Sequence, residues 1–207
     1  MTGSTNARWA GWLAAAALLL GTTACTGDAN SVAEQAKAGD QKGYVSGDGA
    51  VETIPEGDRA EPVELEGTLL DGTAWDSAST RGEVLVINVW GSWCAPCVAE
   101  APDLQEVWSE LEAEKAPVQF MGIDFREEAA RGLAFTKKAG ITFPSLSDES
   151  GVTILALQGK APTVPTTLVL DREGRIAARV NGPVSASTLR GLVDDVVADA
   201  SPAAASS

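Results

Sequence analysis

The chain contains no histidine. That single absence removes Ser-His-Asp and Cys-His catalysis, histidine-ligated zinc and histidine-ligated haem. Cations are also scarce. Lys and Arg number 15 against 29 Asp and Glu, a formal net charge of −14, so phosphate backbones and anionic lipid surfaces would repel the protein and nucleic acid is not an expected partner. What remains is ordinary for a folded protein. The chain has 207 residues, 44% of them hydrophobic and 21% charged, with 6 Trp, enough for one domain of common size plus extensions.

The first of the extensions is at the N-terminus. A single cation, Arg8, precedes a charge-free stretch from Trp9 to Gly27 whose centre, Leu13 to Leu20, is all Ala and Leu. This pattern reads as a secretory signal over 1–24. It ends in Gly21-Thr22-Thr23-Ala24-Cys25, which resembles the lipobox of bacterial lipoproteins, with Thr22 where Leu is usual. Lipidation of Cys25 would place the protein on the extracytoplasmic face of the cell membrane. It would also leave Cys94 and Cys97 as a pair among three cysteines. Ordinary secretion and an uncleaved anchor are the alternatives, although the apolar core is shorter than the roughly 20 residues a span needs. From residue 25 to 61 the Gly, Ala, Asp, Glu and Ser content predicts a flexible tether, with an edge hairpin over 44–54 around Gly47-Asp48-Gly49.

The folded domain is expected over 62–200, with a short frayed tail at 201–207. Val63 to Glu66 alternates as a half-buried strand, and Asp71-Gly72 marks a turn. Val84 to Trp90 is an apolar run that fits a strand buried on both faces at the centre of a sheet. Cys94 to Glu114 carries a helical stripe, with Pro102 expected to kink it. Val118 to Asp124 reads as a second core strand, Glu127 to Ala139 as a helix stopped by Gly140, and Ser150 to Leu157 as a short helix. Thr166 to Leu170 and Arg175 to Val180 form a hairpin, and Ser185 to Ala198 a helix behind capping serines. This alternation predicts an α/β layered domain with a mixed sheet. Trp75 and Trp108 are assigned to its core.

The chemistry lies in Trp93-Cys94-Ala95-Pro96-Cys97, where the buried strand turns into the helix. Cysteines three apart on one helical turn face the same way and can close a disulfide. Cys94 would sit at the helix N-terminus, where free amides and the macrodipole favour a thiolate, and Cys97 one turn inside and more covered. Cys94 is therefore the candidate nucleophile and Cys97 the resolving thiol. The spacing alone also suits a zinc half-site, a copper(I) clamp, haem attachment or an inert staple. Val98 stands where haem attachment needs His, and the domain lacks further zinc ligands of the Cys or His type. The copper(I) and structural readings remain.

The segment Asn88 to Pro102 resembles the active-site signature of the thioredoxin fold, and specifically of the TlpA/ResA-like membrane-anchored thiol-disulfide oxidoreductases. The similarity extends through the Leu70-Asp71-Gly72 turn, the strand and helix over Val118 to Gly140, and Val164-Pro165-Thr166-Thr167. It implies a thioredoxin-like α/β fold, a central mixed sheet flanked by helices with an extra central strand-helix insertion. It implies a cis bond at Pro165 opposite the cysteines, with Val164, Pro165, Trp93, Ala95 and Pro96 contacting substrate. Glu100, one turn after Cys97, becomes a candidate proton shuttle, the alternative being a solvated surface glutamate. Asn88 stands where cytosolic thioredoxins carry an aspartate. Trp90 either screens the disulfide or packs the core, and Pro102 is structural near the site.

The resulting expectation is an extracytoplasmic disulfide reductase, a monomer anchored by lipid. It would act on thiols and disulfides of exported proteins such as apocytochrome c, and be re-reduced by a membrane thiol-electron transporter. No cofactor or metal is expected beyond the redox-active Cys94–Cys97 disulfide. An oxidase or isomerase uses the same residues and differs only in reduction potential, and a non-enzymatic copper(I) carrier is the reading from another class. A peroxidase of the same fold is disfavoured, because its reactive cysteine normally has no partner three residues on.

Overall fold

The structure, a computed structural model, describes residues 49–199. The expected signal segment 1–24, Cys25 with its lipid, the tether up to residue 48, the first half of the 44–54 hairpin and the 201–207 tail lie outside the described residues.

The centre of the molecule is the apolar run that the sequence singles out. Strand β4 (Val84–Trp90) is buried at every position. Its side chains alternate between two layers, as strand geometry requires. Val84 and Val86 meet Leu104, Val107, Leu189 and Val193 on one face, while Leu85, Ile87 and Val89 meet Val63, Leu65 and Leu157 on the other. A strand covered on both sides needs apolar residues throughout, and Asn88, 2% exposed, is the one strongly polar side chain in it.

Around β4 the other strands are β1 (Ala50–Thr53), β5 (Val118–Phe125), β6 (Ser145–Asp148), β7 (Thr166–Leu170) and β8 (Ile176–Asn181). They form one six-stranded sheet in the order β1-β8-β7-β4-β5-β6. β4 and β5 run parallel, as do β5 and β6, whereas β7, β8 and β1 are antiparallel neighbours. A separate two-stranded ribbon pairs β2 (Glu66–Thr68) with β3 (Ala74–Asp76) across the Asp71-Gly72 turn. Among the described residues three α-helices complete the fold: α1 (Ala95–Glu114), α2 (Ala129–Ala139) and α3 (Ala186–Asp199). Gly140 ends α2 in the left-handed conformation, φ 73°, where glycine carries no Cβ penalty. The Oγ of Ser185 accepts from the Thr188 amide at 3.3 Å at the head of α3.

Two expectations need correction. The flexible tether does not extend to Glu61, because Ala50 to Thr53 pairs residue for residue with β8. Arg59, just beyond, joins Asp171 at 3.2 Å and Asp199 at 2.9 Å, tying this lead-in to both the sheet and α3. The strand lies within the expected 44–54 edge hairpin and is held by its ladder with β8, by the Glu52 ion pairs and by Val51 packing on the core. The segment Val63 to Glu66 alternates in burial as expected, but only Glu66 joins a strand, β2, while the Val63 and Leu65 amides bond to the Gly174 carbonyl and the Ser77 hydroxyl. The short helix expected over Ser150 to Leu157 is a 3-10 helix over Thr153–Leu157. Trp75 and Trp108 are half-buried at the margins of the core. Helix α1 runs on through Pro102, which is exposed. Proline withholds an amide from the Val98 carbonyl, and Val98 is itself exposed, so the missing bond falls where water can replace it.

Candidate active site

Chain direction creates the site. β4 ends at Trp90, a three-residue loop Gly91-Ser92-Trp93 follows, and Cys94 caps α1. The Cys94 amide donates to Gly91 O at 3.1 Å and the Val98 amide to Cys94 O at 3.0 Å, so the loop is wound tightly onto the helix. Cys94 and Cys97 form a disulfide, S–S 2.03 Å, with Cα atoms 5.3 Å apart. The Cys97 amide donates to Cys94 Sγ at 3.3 Å. Charge on Cys94 Sγ would be stabilised by this bond and by the positive end of a 20-residue helix. Cys97 does not stand out as the more covered cysteine: the residues are 5% and 3% exposed. Trp90, Leu70, Phe135 and Val164 pack around them, with the Trp90 and Phe135 ring centroids 5.2 Å apart. Trp90 thus both packs and screens the disulfide.

The rim is apolar and open. Trp93 is 56% exposed, its indole N–H donating to Phe125 O at 3.1 Å, and Ala95 and Pro96 beside it are exposed. Across from them the Val164-Pro165 bond is cis. Pro165 is buried and Val164 half-buried, and the Pro165 carbonyl accepts from Gly182 N–H at 3.0 Å. The structure therefore brings together Trp93, Cys94, Ala95, Pro96, Cys97, Val164 and Pro165.

Glu100 is not a surface residue. It is 3% exposed, its Oε1 accepting from Asn88 Nδ2 at 2.9 Å and its Oε2 from the Val184 amide at 3.0 Å. Asn88 also donates to Thr167 Oγ1 at 3.1 Å. Burial pushes the Glu100 carboxyl up to about 7, against the opposing pull of the Asn88 and Val184 donors, with the nearby Asp103 charge adding to the rise. A carboxyl poised there can give or take a proton near neutrality. Val184 contributes through its backbone, which leaves no trace in sequence.

A second acidic group beside the cysteine loop went unrecognised in the sequence. Glu127 accepts from both the amide and the hydroxyl of Ser92, at 2.5 and 2.6 Å, and Asp124 lies behind it with no exposure at all. The available signal was an aspartate at the end of an otherwise apolar strand. Among the described residues no cluster of three or more His, Cys, Asp or Glu could hold a metal ion.

The sheet order, the strand-to-helix CxxC and the cis-proline opposite it define a thioredoxin-like protein. Comparison with known proteins agrees. The model of the AhpC/TSA family matches residues 57–179, more than half of the chain, and the chain belongs to that family. It is 27% identical over 149 residues to the thiol:disulfide interchange protein HelX of Rhodobacter capsulatus, covering 72% of this chain and 81% of that one. Identity to the thiol-disulfide oxidoreductase ResA of Bacillus thuringiensis is also 27%, covering 62% of this chain and 72% of ResA. Among solved structures, a secreted thiol-disulfide isomerase from Corynebacterium glutamicum superposes with a TM-score of 0.68 at 30% identity, covering 75% of this chain and 96% of the other. With its Cys94–Cys97 disulfide in this setting, the chain is a thiol-disulfide oxidoreductase of the DsbE/ResA type.

Proposed function

We propose that the protein is an extracytoplasmic disulfide reductase working on exported proteins. The observation that carries this reading is the Cys94–Cys97 pair at a helix N-terminus, flanked by the buried Glu100 and by an open apolar rim. Relatives described as secreted support the compartment.

In the forward direction the Cys94 thiolate attacks one sulfur of the substrate's disulfide, and the other substrate sulfur leaves as a thiolate that takes a proton. Cys97, deprotonated as Glu100 accepts its proton, then attacks Cys94 Sγ. The second substrate thiol departs, and two electrons have passed from the dithiol to the substrate. Trp93, Ala95 and Pro96 on one side and Val164 with Pro165 on the other hold the substrate segment in extended form. Asn88 positions Glu100, and Trp90 keeps water from the sulfurs. Export by the 1–24 signal and lipidation of Cys25 hold the domain at the membrane. The disulfide formed by the haem-binding cysteines of apocytochrome c is the proposed substrate, and a membrane thiol-electron transporter restores the dithiol.

The relative described as an isomerase favours a second reading, oxidation or reshuffling of disulfides by the same residues. Equilibration in thiol-disulfide buffers with Trp fluorescence as the readout separates the two. A potential at or below roughly −250 mV, close to thioredoxin's, supports the reductase, and one near about −120 mV the oxidase. Cys94→Ser should abolish turnover of a disulfide-bonded protein substrate; activity retained in that variant would overturn both readings.

A further inference from the structure

Residues 124–127 contact the loop before the cysteines at two points. Phe125 O takes the Trp93 indole N–H at 3.1 Å, and Glu127 holds the Ser92 amide and hydroxyl in a two-pronged grip at 2.5 and 2.6 Å. Between those contacts Arg126 adopts the left-handed backbone conformation, φ 54°. Asp124 sits behind Glu127, fully buried. No N–H or O–H reaches either of its oxygens among the described residues, and the group it faces is the Glu127 carboxyl. Two carboxyls can stand together out of water only when one carries a proton and donates it to the other.

We propose that Asp124 and Glu127 are positioning residues for thiol-disulfide exchange, a carboxylic acid and a carboxylate sharing one proton, with the carboxylate fixing Ser92 and through it the loop that presents Cys94. The proposal rests on the exchange function of Cys94 and Cys97. Asp124 is the acid. Burial, the hydrogen bond to Glu127 and the Glu127 charge push its carboxyl up to about 9. Glu127 is the carboxylate: burial raises it, but bonds from Asp124 and from Ser92, with the Arg131 charge, hold it below the usual range.

α2 contributes Arg131 and also Gly132, whose missing side chain makes room for the acid, since a Cβ there would lie 1.9 Å from Asp124 Oδ2. β4 and β6 set Trp90 and Ser147 beside Asp124 in register, and Leu70 approaches Gly132 from the ribbon. Arg126 lies over the Phe125 ring, 5.0 Å from its centroid. Above the titration of Asp124 two carboxylates would oppose each other, the grip on Ser92 would loosen, and an incoming thiolate would be repelled.

The test uses the full chain with the disulfide intact and ¹³C-labelled Asp and Glu carboxyls, Asp124 and Glu127 being assigned by the signals lost in Asp124→Asn and Glu127→Gln. One aspartate should stay protonated through pH 7 and titrate near 9, while the Glu127 signal stays ionised below pH 4.5. Reduction of the disulfide by dithiothreitol, expressed per thiolate, should fall at least threefold across the Asp124 transition in the wild type and stay flat in Asp124→Asn. Glu127→Gln should slow it about fivefold at pH 7. Ordinary titration of both carboxyls, or a wild-type rate as flat as that of Asp124→Asn, overturns the proposal. Should Asp124→Asn fail to fold, the wild-type titration together with Glu127→Gln decides. A disulfide that cannot be reversibly reduced would sink the functional reading as well, whereas a reducible disulfide beside an unresponsive pair sinks this proposal alone.

Discussion

Two buried carboxyls flank the cysteines, and the protein handles them differently. Glu100, on α1 behind Cys97, keeps two neutral donors, Asn88 Nδ2 and the Val184 amide. Asp124, at the end of β5, has no donor and faces another carboxyl. Both are raised by burial, but the first stops at about 7 and the second reaches about 9. Donors aimed at a carboxylate offset part of its desolvation, whereas a second carboxyl adds to it. The first arrangement leaves a group that can move protons at neutral pH. The second leaves one that holds its proton and serves architecture.

The largest expected effect exploits the missing histidines. With none in the chain, few ordinary groups titrate between pH 5 and 8, so stability changes there report on perturbed carboxyls. A carboxyl whose folded pKa is raised contributes stability that is complete below its unfolded pKa and is lost as pH climbs through the folded value. For Glu100 the window runs from 4.5 to about 7. Comparing wild type with Glu100→Gln by urea unfolding should show the wild type losing about 3 kcal/mol relative to the variant across that window. The same comparison with Asp124→Asn should keep changing above pH 7, toward 9. A difference that stays flat with pH in either variant would refute the corresponding environment.

Next in size is Gly132→Ala. In an exposed helix interior this change ordinarily gains up to about 1 kcal/mol. Here the new Cβ would lie 1.9 Å from Asp124 Oδ2 and 2.7 Å from its Cγ, so the acid must move out of its seat. Destabilisation of about 2 kcal/mol is expected by chemical denaturation. The double variant Gly132→Ala with Asp124→Ser, which shortens the side chain, should recover part of the loss. A stabilising Gly132→Ala would show that the seat is looser than its geometry.

How much of this was legible beforehand divides along the same line. Val84 to Trp90 and Thr166 to Leu170 match the structure residue for residue, because a strand buried on both faces leaves an unbroken apolar run. β6 went unread, and β1 was anticipated only as an arm of an edge hairpin over 44–54. β1 is charged and held by its ladder and by the Glu52 pairs with Lys160 and Arg179, while Ser145 to Asp148 is largely buried without being apolar. The cysteines and Glu100 could be read because each lies about one helical turn from the next along α1. Asp124, Glu127 and Ser92 come from two segments some 30 residues apart, joined by a contact that neither segment announces. Val184 acts through its amide, and any residue but proline would have spelled it the same way.

The smallest expected effect is the most selective. Ser92→Ala deletes one of the two donors that Ser92 offers Glu127 and leaves the amide bond in place. A hydrogen bond to a charged group contributes about 1.5 to 3 kcal/mol, and partial exposure of Ser92 lets water replace much of it, so a loss of about 1 kcal/mol is expected. The informative quantity is the titration of the neighbours. With one donor fewer, the Glu127 carboxylate competes less well for its charge and should titrate at higher pH than in the wild type, while Glu100, held by Asn88 and Val184 on α1's other contacts, should not move. A shift in Glu100 of similar size would mean that the two carboxyl sites communicate through the loop and cannot be treated as separate devices.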